Sequence, residues 1–307
     1  MNKNPNGKSQ FMASPACEVC GGSLFHYLFR KNGLDYFRCD SCQLSRIQPQ
    51  PSDETLAQVY SDKYFESWGV QTDATQVERL KQETFRRHVL SRVRLKKNMR
   101  VLDCGAAFGA LMTVAQEAGC EAYGIELSPA AARHITEQFG PDRVFSGPFE
   151  QADFPGLGAA GFDVVFMCDF IEHVRDPLAT LRKATRLLRP GGQLVITTPD
   201  TASPSCHLMR RSWPHYHIEH LFYFNRRNLA QALTQTGFTV TYVGAAKKVI
   251  DFDYLRHHFN ARPQFLITSA ANLLARCMGR RLRTWLLTFS LGQMILVADC
   301  TSSTSSP

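Results

Sequence analysis

At 307 residues the chain has room for one large domain and a small one. Hydrophobic residues make up 44% and charged residues 20%, a balance that excludes a disordered or fibrous chain, and no run nears the ~20 apolar residues of a membrane span. The 35 Lys and Arg outnumber the 27 Asp and Glu, giving a net charge of +8, which favours an acidic or phosphorylated partner over a basic one. Ten cysteines and a polar start without an apolar signal core set the expectation of reduced thiols and a cytoplasmic location.

In chain order, residues 1–16 read as a flexible arm. Then come Cys17-x-x-Cys20 and Cys39-x-x-Cys42, with 18 residues between Cys20 and Cys39. Two thiolate pairs at such spacing suit one tetrahedral zinc ion, so residues 17–50 are expected to form a zinc ribbon. Metal binding would supply folding free energy that so short a segment cannot draw from its own core. Leu24, Tyr27 and Phe29, then Leu34, Tyr36 and Phe37, suggest short hairpins, and Pro49 and Pro51 close the module. Residues 51–98 read as a helical linker or lid. One helix opens at Ser52, with Asp53 and Glu54 in its favoured first turn. A second spans 75–94, with Val77, Leu80, Phe85, Val89 and Val93 on one face.

From residue 99 short β-rich runs alternate with helical stretches. Strands are expected at 100–103, 121–126, 143–146, 162–168, 193–197, 238–244 and 293–298. Helices are expected at 110–118, 129–139, 177–188 and 227–236, with Pro129 and Pro177 at helix starts and Gly119, Gly140 and Gly237 at their ends. This rhythm implies an α/β, doubly wound, Rossmann-like sheet over 99–300. Residues 245–292 are expected to be a helical insertion rich in arginine, serving as a domain cap, a basic lid or a lipid-facing surface, and 301–307 a disordered tail.

Asp103-Cys104-Gly105-Ala106-Ala107-Phe108-Gly109 joins a strand to a helix through a glycine turn, where doubly wound sheets bind ligands. Glu126 closes the next strand and can accept hydrogen bonds from both hydroxyls of a ribose. A dinucleotide fingerprint would need glycines at Gly105, Ala107 and Ala110 and finds only the first. The segment instead resembles motif I of the class I S-adenosylmethionine-dependent methyltransferases. Gly161-Phe162-Asp163-Val164-Val165, the run from Cys168 to Val174, and Leu188-Arg189-Pro190-Gly191-Gly192 are similar to later motifs of that family. The resemblance covers about 99–300 and implies a seven-stranded sheet and S-adenosyl-L-methionine as cofactor. It places Asp103, Gly105, Ala107 and Gly109 at the methionine end and Glu126 at the ribose. Leu127, Asp169 and Phe170 complete the cofactor set, with Phe149 beside the adenine, although the family's usual Asp is absent there. Residues 17–65 resemble the N-terminal zinc ribbon of bacterial methyltransferases related to ubiquinone-biosynthesis enzymes, many of which act on sugars or other small metabolites. Sugar C-methyltransferases also begin with a zinc module but carry a further C-terminal domain, so their substrate is not carried over.

For the chemistry, His173 is the first candidate base, since it follows the fourth strand and titrates near neutrality. Glu172 beside it could bind a divalent metal, as in some ubiquinone-pathway relatives. His220 and Tyr216, in a segment that lies over the active site in the family, are the other candidate substrate contacts. His217-x-x-His220 is a weaker zinc reading, and Phe222 and Tyr223 read as an aromatic cluster. The expected activity is methyl transfer to a small-molecule acceptor such as a sugar, nucleotide sugar or related metabolite. Oxygen, nitrogen and carbon acceptors all suit the scaffold. The alternatives are an RNA methyltransferase, an NAD(P)-dependent oxidoreductase and a noncatalytic nucleic-acid-binding ribbon. No specific nucleic acid is expected, peripheral membrane contact is allowed, and the oligomeric state stays open.

Overall fold

The computed structural model describes residues 11–13, 15–59, 70–155, 161–254 and 283–301, with 256, 269, 272–274 and 278–279. Most of the expected tail, the first ten residues and 60–69 lie outside that set.

Two sheets make up the molecule. The smaller contains β1 (Phe11–Ala13), β2 (Leu24–Lys31), β3 (Leu34–Cys39) and β4 (Ser45–Ile47). Asn32 and Gly33, at φ +52° and +80°, make the left-handed turn that a two-residue hairpin requires. Helix α1 (Asp53–Val59) follows, then α2 (Val70–Thr84). The expected regular helix to residue 94 gives way to a π turn at Phe85–Val89 and a 3-10 turn at Leu90–Arg92.

The larger sheet is built from β5 (Arg100–Cys104), α3 (Ala110–Glu117), β6 (Glu121–Glu126), α4 (Pro129–Phe139), β7 (Val144–Ser146), β8 (Phe162–Cys168), α5 (Pro177–Leu187) and β9 (Leu188–Pro199). After α6 (Pro204–Met209) and β10 (Phe222–Tyr223) it continues with α7 (Arg226–Gln235), β11 (Phe238–Ile250) and β12 (Leu287–Cys300). Its strand order is β11-β12-β9-β8-β5-β6-β7. The five strands from β9 to β7 are parallel, and β12 runs antiparallel between β9 and β11. The order reverses between β5 and β8, which opens a crevice at their carboxyl ends.

Alternate strand residues fill two cores, as the period of two dictates. Leu102, Val165, Met167, Leu194 and Leu296 pack with α5 and α7. Val101, Val164, Phe166, Val195 and Val297 pack with α3 and α4. Local chemistry starts the helices: the Asp176 side chain accepts from Ala179 N–H before Pro177, and Asn225 and Asn228 form a reciprocal capping box on α7.

Three expectations need correction. Phe11–Ala13 pairs with Leu24–His26, so the described part of the expected flexible arm is a strand. The helical insertion does not span 245–292, because Lys248, Val249 and Ile250 pair with Phe289, Thr288 and Leu287 and carry the hairpin well beyond its expected ends. The ribbon is not a separate module either. β10 joins the small sheet beside β4, and Cys17, Phe25, Cys39 and Leu44 share one buried core with Leu221, Phe224 and Leu229.

Helix α2 is clamped to the end of β11. The fully buried Asp251 carboxylate accepts from Gln76 Nε2 at 2.7 Å, Arg79 at 3.4 Å and Tyr254 N–H at 2.8 Å, while Val249 N–H donates to Thr84 Oγ1 at 2.9 Å. Replacing Asp251 by Ala removes the shared acceptor of these three donors, and we expect a loss of about 2 kcal/mol in unfolding free energy, measurable by thermal or denaturant unfolding.

Candidate active site

The cofactor half lies where β5 and β6 end. Gly105 N–H and Ala106 N–H donate to the Ile125 carbonyl at 2.9 and 3.0 Å, which folds the turn back on β6. Gly105, Ala107 and Gly109 all have left-handed φ, +76°, +48° and +83°. A Cβ on Gly105 would lie 3.1 Å from the Phe170 ring, and one on Gly109 2.9 Å from Phe139, so bare backbone is needed at both. The Glu126 carboxylate joins the two turns: Oε2 accepts from Ala107 N–H and Oε1 from Ser128 N–H, each at 2.7 Å. Each oxygen keeps a further lone pair for a hydroxyl donor. Leu127, next in the chain, is 51% exposed and offers an apolar face at the same edge.

Burial first, then the Glu126 charge, pushes the buried Asp103 carboxyl up to about 7. Lys81 of α2 faces the same acids. Burial depresses its ammonium, opposed by Glu78, Asp169 and Glu126. Sequence reasoning missed Lys81, whose only signal was its position beside the apolar face of an amphipathic helix. Phe149 is buried, meets Phe170 edge-on at 5.5 Å and lies under the Lys183 ammonium, so it supports the Phe170 ring.

A second cluster of titratable groups lies at the end of β8. Asp169, at φ +53°, accepts from Gln293 Nε2 at 2.5 Å and from Lys248 Nζ at 3.1 Å. Burial opposes ionisation of Asp169, but Lys248 outweighs it and holds the carboxyl below its usual range. Lys248 and Gln293 were not expected at the site; only the pairing of β11 with β12 brings them there. Glu172 is 1% exposed, and its Oε2 accepts from Thr198 Oγ1 at 2.9 Å. Burial, then Asp169, pushes its carboxyl up to about 8. His173 and His220 stand perpendicular, with ring centroids 4.7 Å apart. Burial drives His173 down to about 4 and His220 well below its ordinary value, so both are neutral at pH 7.

One ligand atom each from Glu172, His173 and His220 lies within 4.8 Å of the others. Glu172 Oε1 and His220 Nδ1 are buried without a hydrogen-bond partner among the described residues. A carboxylate and two imidazoles so placed suit a divalent cation. His217 stands outside that group, so the His217-x-x-His220 zinc reading is replaced by this one. Tyr216 is also corrected. It is 3% exposed, walled by Phe29, Tyr36, Trp213 and Tyr223, with its hydroxyl 3.7 Å from Cys206 Sγ. It is part of an aromatic core, with its phenol pushed up by burial.

The four ribbon thiols converge. Cys17 and Cys42 Sγ lie 3.5 Å apart, as do Cys20 and Cys39 Sγ, and all four fit within 4.8 Å. A tetrahedral zinc with Zn–S bonds of about 2.3 Å needs S···S edges of about 3.8 Å, and a disulfide would need about 2 Å. The two knuckles match. Gly21 N–H donates to Cys17 O and Gln43 N–H to Cys39 O, with Gly21 and Gln43 both left-handed at +70° and +64°. Hydrogen bonding from Cys42, against burial and aided by the Cys20 and Val19 amides, pulls the Cys17 thiol down to about 5. The donor set therefore fits zinc, with backbone N–H groups aimed at sulfur.

The sheet, with its antiparallel strand set between the fifth and sixth, defines a class I methyltransferase fold. A family model described as a methyltransferase domain matches residues 77–243, more than half of the chain, and the chain belongs to that family. Over 103 residues it is 36% identical to a ubiquinone biosynthesis O-methyltransferase of Aromatoleum aromaticum, covering 32% of this chain and 43% of that one. Over 117 residues it is 35% identical to a protein of the same name from Xanthomonas campestris pv. campestris, covering 36% and 47%. The chain thus spans less than half the length of these curated relatives. Among solved structures, the [4+2]-cyclase SpnF superposes with a TM-score of 0.54 at 17% identity, covering 83% of this chain and 99% of that one. The 1,6-didemethyltoxoflavin-N1-methyltransferase of Burkholderia thailandensis, with bound substrate and S-adenosylhomocysteine, gives 0.52 at 16% identity, covering 90% and 99%. At these identities the likeness is one of fold.

Asp103 binds its proton more tightly in the folded chain than an unfolded Asp, whose pKa is about 3.9. Its contribution to stability is therefore full below that value and is lost as pH rises through about 7. In Asp103→Asn this decline disappears. The difference in Tm between variant and parent should shift in the variant's favour from pH ~5 to ~8, as read by calorimetry across that range.

Proposed function

We propose that the protein transfers the methyl group of S-adenosylmethionine to an oxygen of a small-molecule acceptor. The observation that carries this reading is the Glu126 carboxylate, bonded to Ala107 and Ser128 amides across the switch-point crevice of a methyltransferase-family domain. S-adenosylmethionine supplies a sulfonium-activated methyl group. Glu126 accepts the ribose hydroxyls, the Gly105–Gly109 turn admits the methionine end, and Leu127 and Phe170 offer apolar faces to the base. On the other side, neutral His173 takes the proton from an acceptor hydroxyl held in line with the methyl group. His220 is the second neutral base within reach.

The relatives are named O-methyltransferases, which supports oxygen as the receiving atom. Sugars and nucleotide sugars have no support among them and remain one arm of an acceptor screen. An acidic or phosphorylated acceptor rests on net charge alone, since Lys248, the basic residue at the mouth, is already paired with Asp169. A second reading is favoured by the two orphaned atoms, Glu172 Oε1 and His220 Nδ1: a divalent cation held by Glu172, His173 and His220 lowers the pKa of the acceptor hydroxyl. In the ribbon, Cys17, Cys20, Cys39 and Cys42 hold a structural zinc. With four thiolates that ion has no open position for catalysis.

Calorimetry should detect binding of S-adenosylhomocysteine, and Glu126→Ala should weaken it about tenfold or more, as expected for loss of a charge-assisted hydrogen-bond pair. An unchanged affinity would sink the cofactor assignment. In a methyl-transfer screen over phenols, catechols and nucleotide sugars, His173→Ala should lower kcat by about a hundredfold with little change in cofactor affinity. Stimulation by Mg²⁺ or Zn²⁺ that is lost in Glu172→Gln would select the metal-assisted route.

A further inference from the structure

The four-thiolate ribbon and the acceptor-side residues belong to one sheet. β10 is two residues long, Phe222 and Tyr223, and pairs antiparallel with Arg46 and Ser45 of β4. An isolated strand of that length does not persist. Beside the pair, Ile47 N–H donates to the Leu221 carbonyl at 3.1 Å. Leu221 N–H and Phe222 N–H in turn both donate to the Glu172 carbonyl, at 2.8 and 3.2 Å. One chain of backbone hydrogen bonds thus runs from β4 through β10 to Glu172, and His220 is the residue just before it. β4 itself begins three positions after Cys42.

Two further ties reach the same loop. Asn228 of α7 is fully buried. Its Oδ1 accepts from Asn225 N–H at 2.9 Å, and its Nδ2 donates to the Cys42 carbonyl at 3.2 Å. From the first hairpin, Lys31 Nζ donates to the Trp213 carbonyl at 3.2 Å, and Tyr36 packs 5.1 Å from Tyr216 and 5.6 Å from Tyr223. Among the described residues, the cofactor turn makes no hydrogen bond to the small sheet. The Glu126 carboxylate and the Gly105–Ala106 amides bond within the turns of β5 and β6.

We infer that the metal-loaded ribbon is a structural wall of the acceptor site: it positions Glu172 and His220 through β4, β10 and Asn228, and leaves the cofactor turn independent. Ser45–Ile47 and Asn228 are positioning residues. The inference rests on the zinc reading above and goes beyond it, since a closed thiolate centre remote from the methyl group thereby governs acceptor geometry alone.

The test uses the full-length protein as purified, with three readouts: zinc content by atomic absorption, S-adenosylhomocysteine affinity by calorimetry, and amide exchange of peptides covering 170–175 and 217–224. Cys42→Ser should lose the zinc and raise exchange in both peptides about tenfold or more, with cofactor affinity held within about threefold. Ile47→Pro keeps all four cysteines and removes the donor to Leu221 O. It should raise the same exchange while zinc is retained, which separates β4 from the metal. Unchanged exchange at 217–224 after zinc loss overturns the inference, as does a parallel loss of cofactor affinity. A parent protein without zinc overturns the ribbon reading itself, and the inference with it.

Discussion

The carboxylate of Glu126 is the interaction on which the rest of the site depends. It ends β6, yet its two oxygens hold the amides that begin the turns after β5 and after β6. Burial raises its proton affinity and three backbone N–H groups lower it; a buried carboxylate survives only with such donors. The clasp keeps Gly105, Ala107 and Gly109 in left-handed backbone, and its charge adds to burial in raising Asp103. Shape and electrostatics at the cofactor crevice therefore have a common origin.

The acceptor side solves a different problem. In the proposed transfer to oxygen a proton must leave the acceptor, and burial of His173 and His220 keeps both imidazoles uncharged. Their neighbour Glu172 is kept protonated by the same burial, so a local excess of charge is avoided where water is excluded. A divalent cation at these three groups would displace the Glu172 proton and use the lone pairs of the two neutral imidazoles, so proton-transfer and metal-assisted chemistry use one set of atoms. Asp169, in contrast, stays ionised because Lys248 comes from β11 to meet it.

Much of the fold was legible because its signals are local. The apolar run 162–168 and the segment 121–126 became strands with the expected limits, and Pro129 and Gly140 bound α4. The cysteine pairs converged, since each knuckle closes within five residues by its own backbone bond. Tyr216 was misread for the opposite reason. A tyrosine among histidines suggests chemistry, but Phe29 and Tyr36 from the first hairpin enclose it, and nothing near residue 216 announces them. Lys81 and Gln293 were missed because a lysine on a helix and a glutamine in a strand carry no distinguishing local pattern.

By itself, then, the sequence determined the class of fold, the glycine turn from Asp103 to Gly109 with its partner Glu126, and the four thiols, because strand period, glycine conformation and ligand spacing act over a few residues. Only the tertiary structure decided that the ribbon shares a sheet and a core with later parts of the chain, that Glu172 and His220 meet, and that Lys248 reaches Asp169. Those outcomes depend on the pairing of β10 with β4 and of β11 with β12. Strand pairing between segments far apart in the chain follows from how whole elements bury their faces, which no local run of residues encodes.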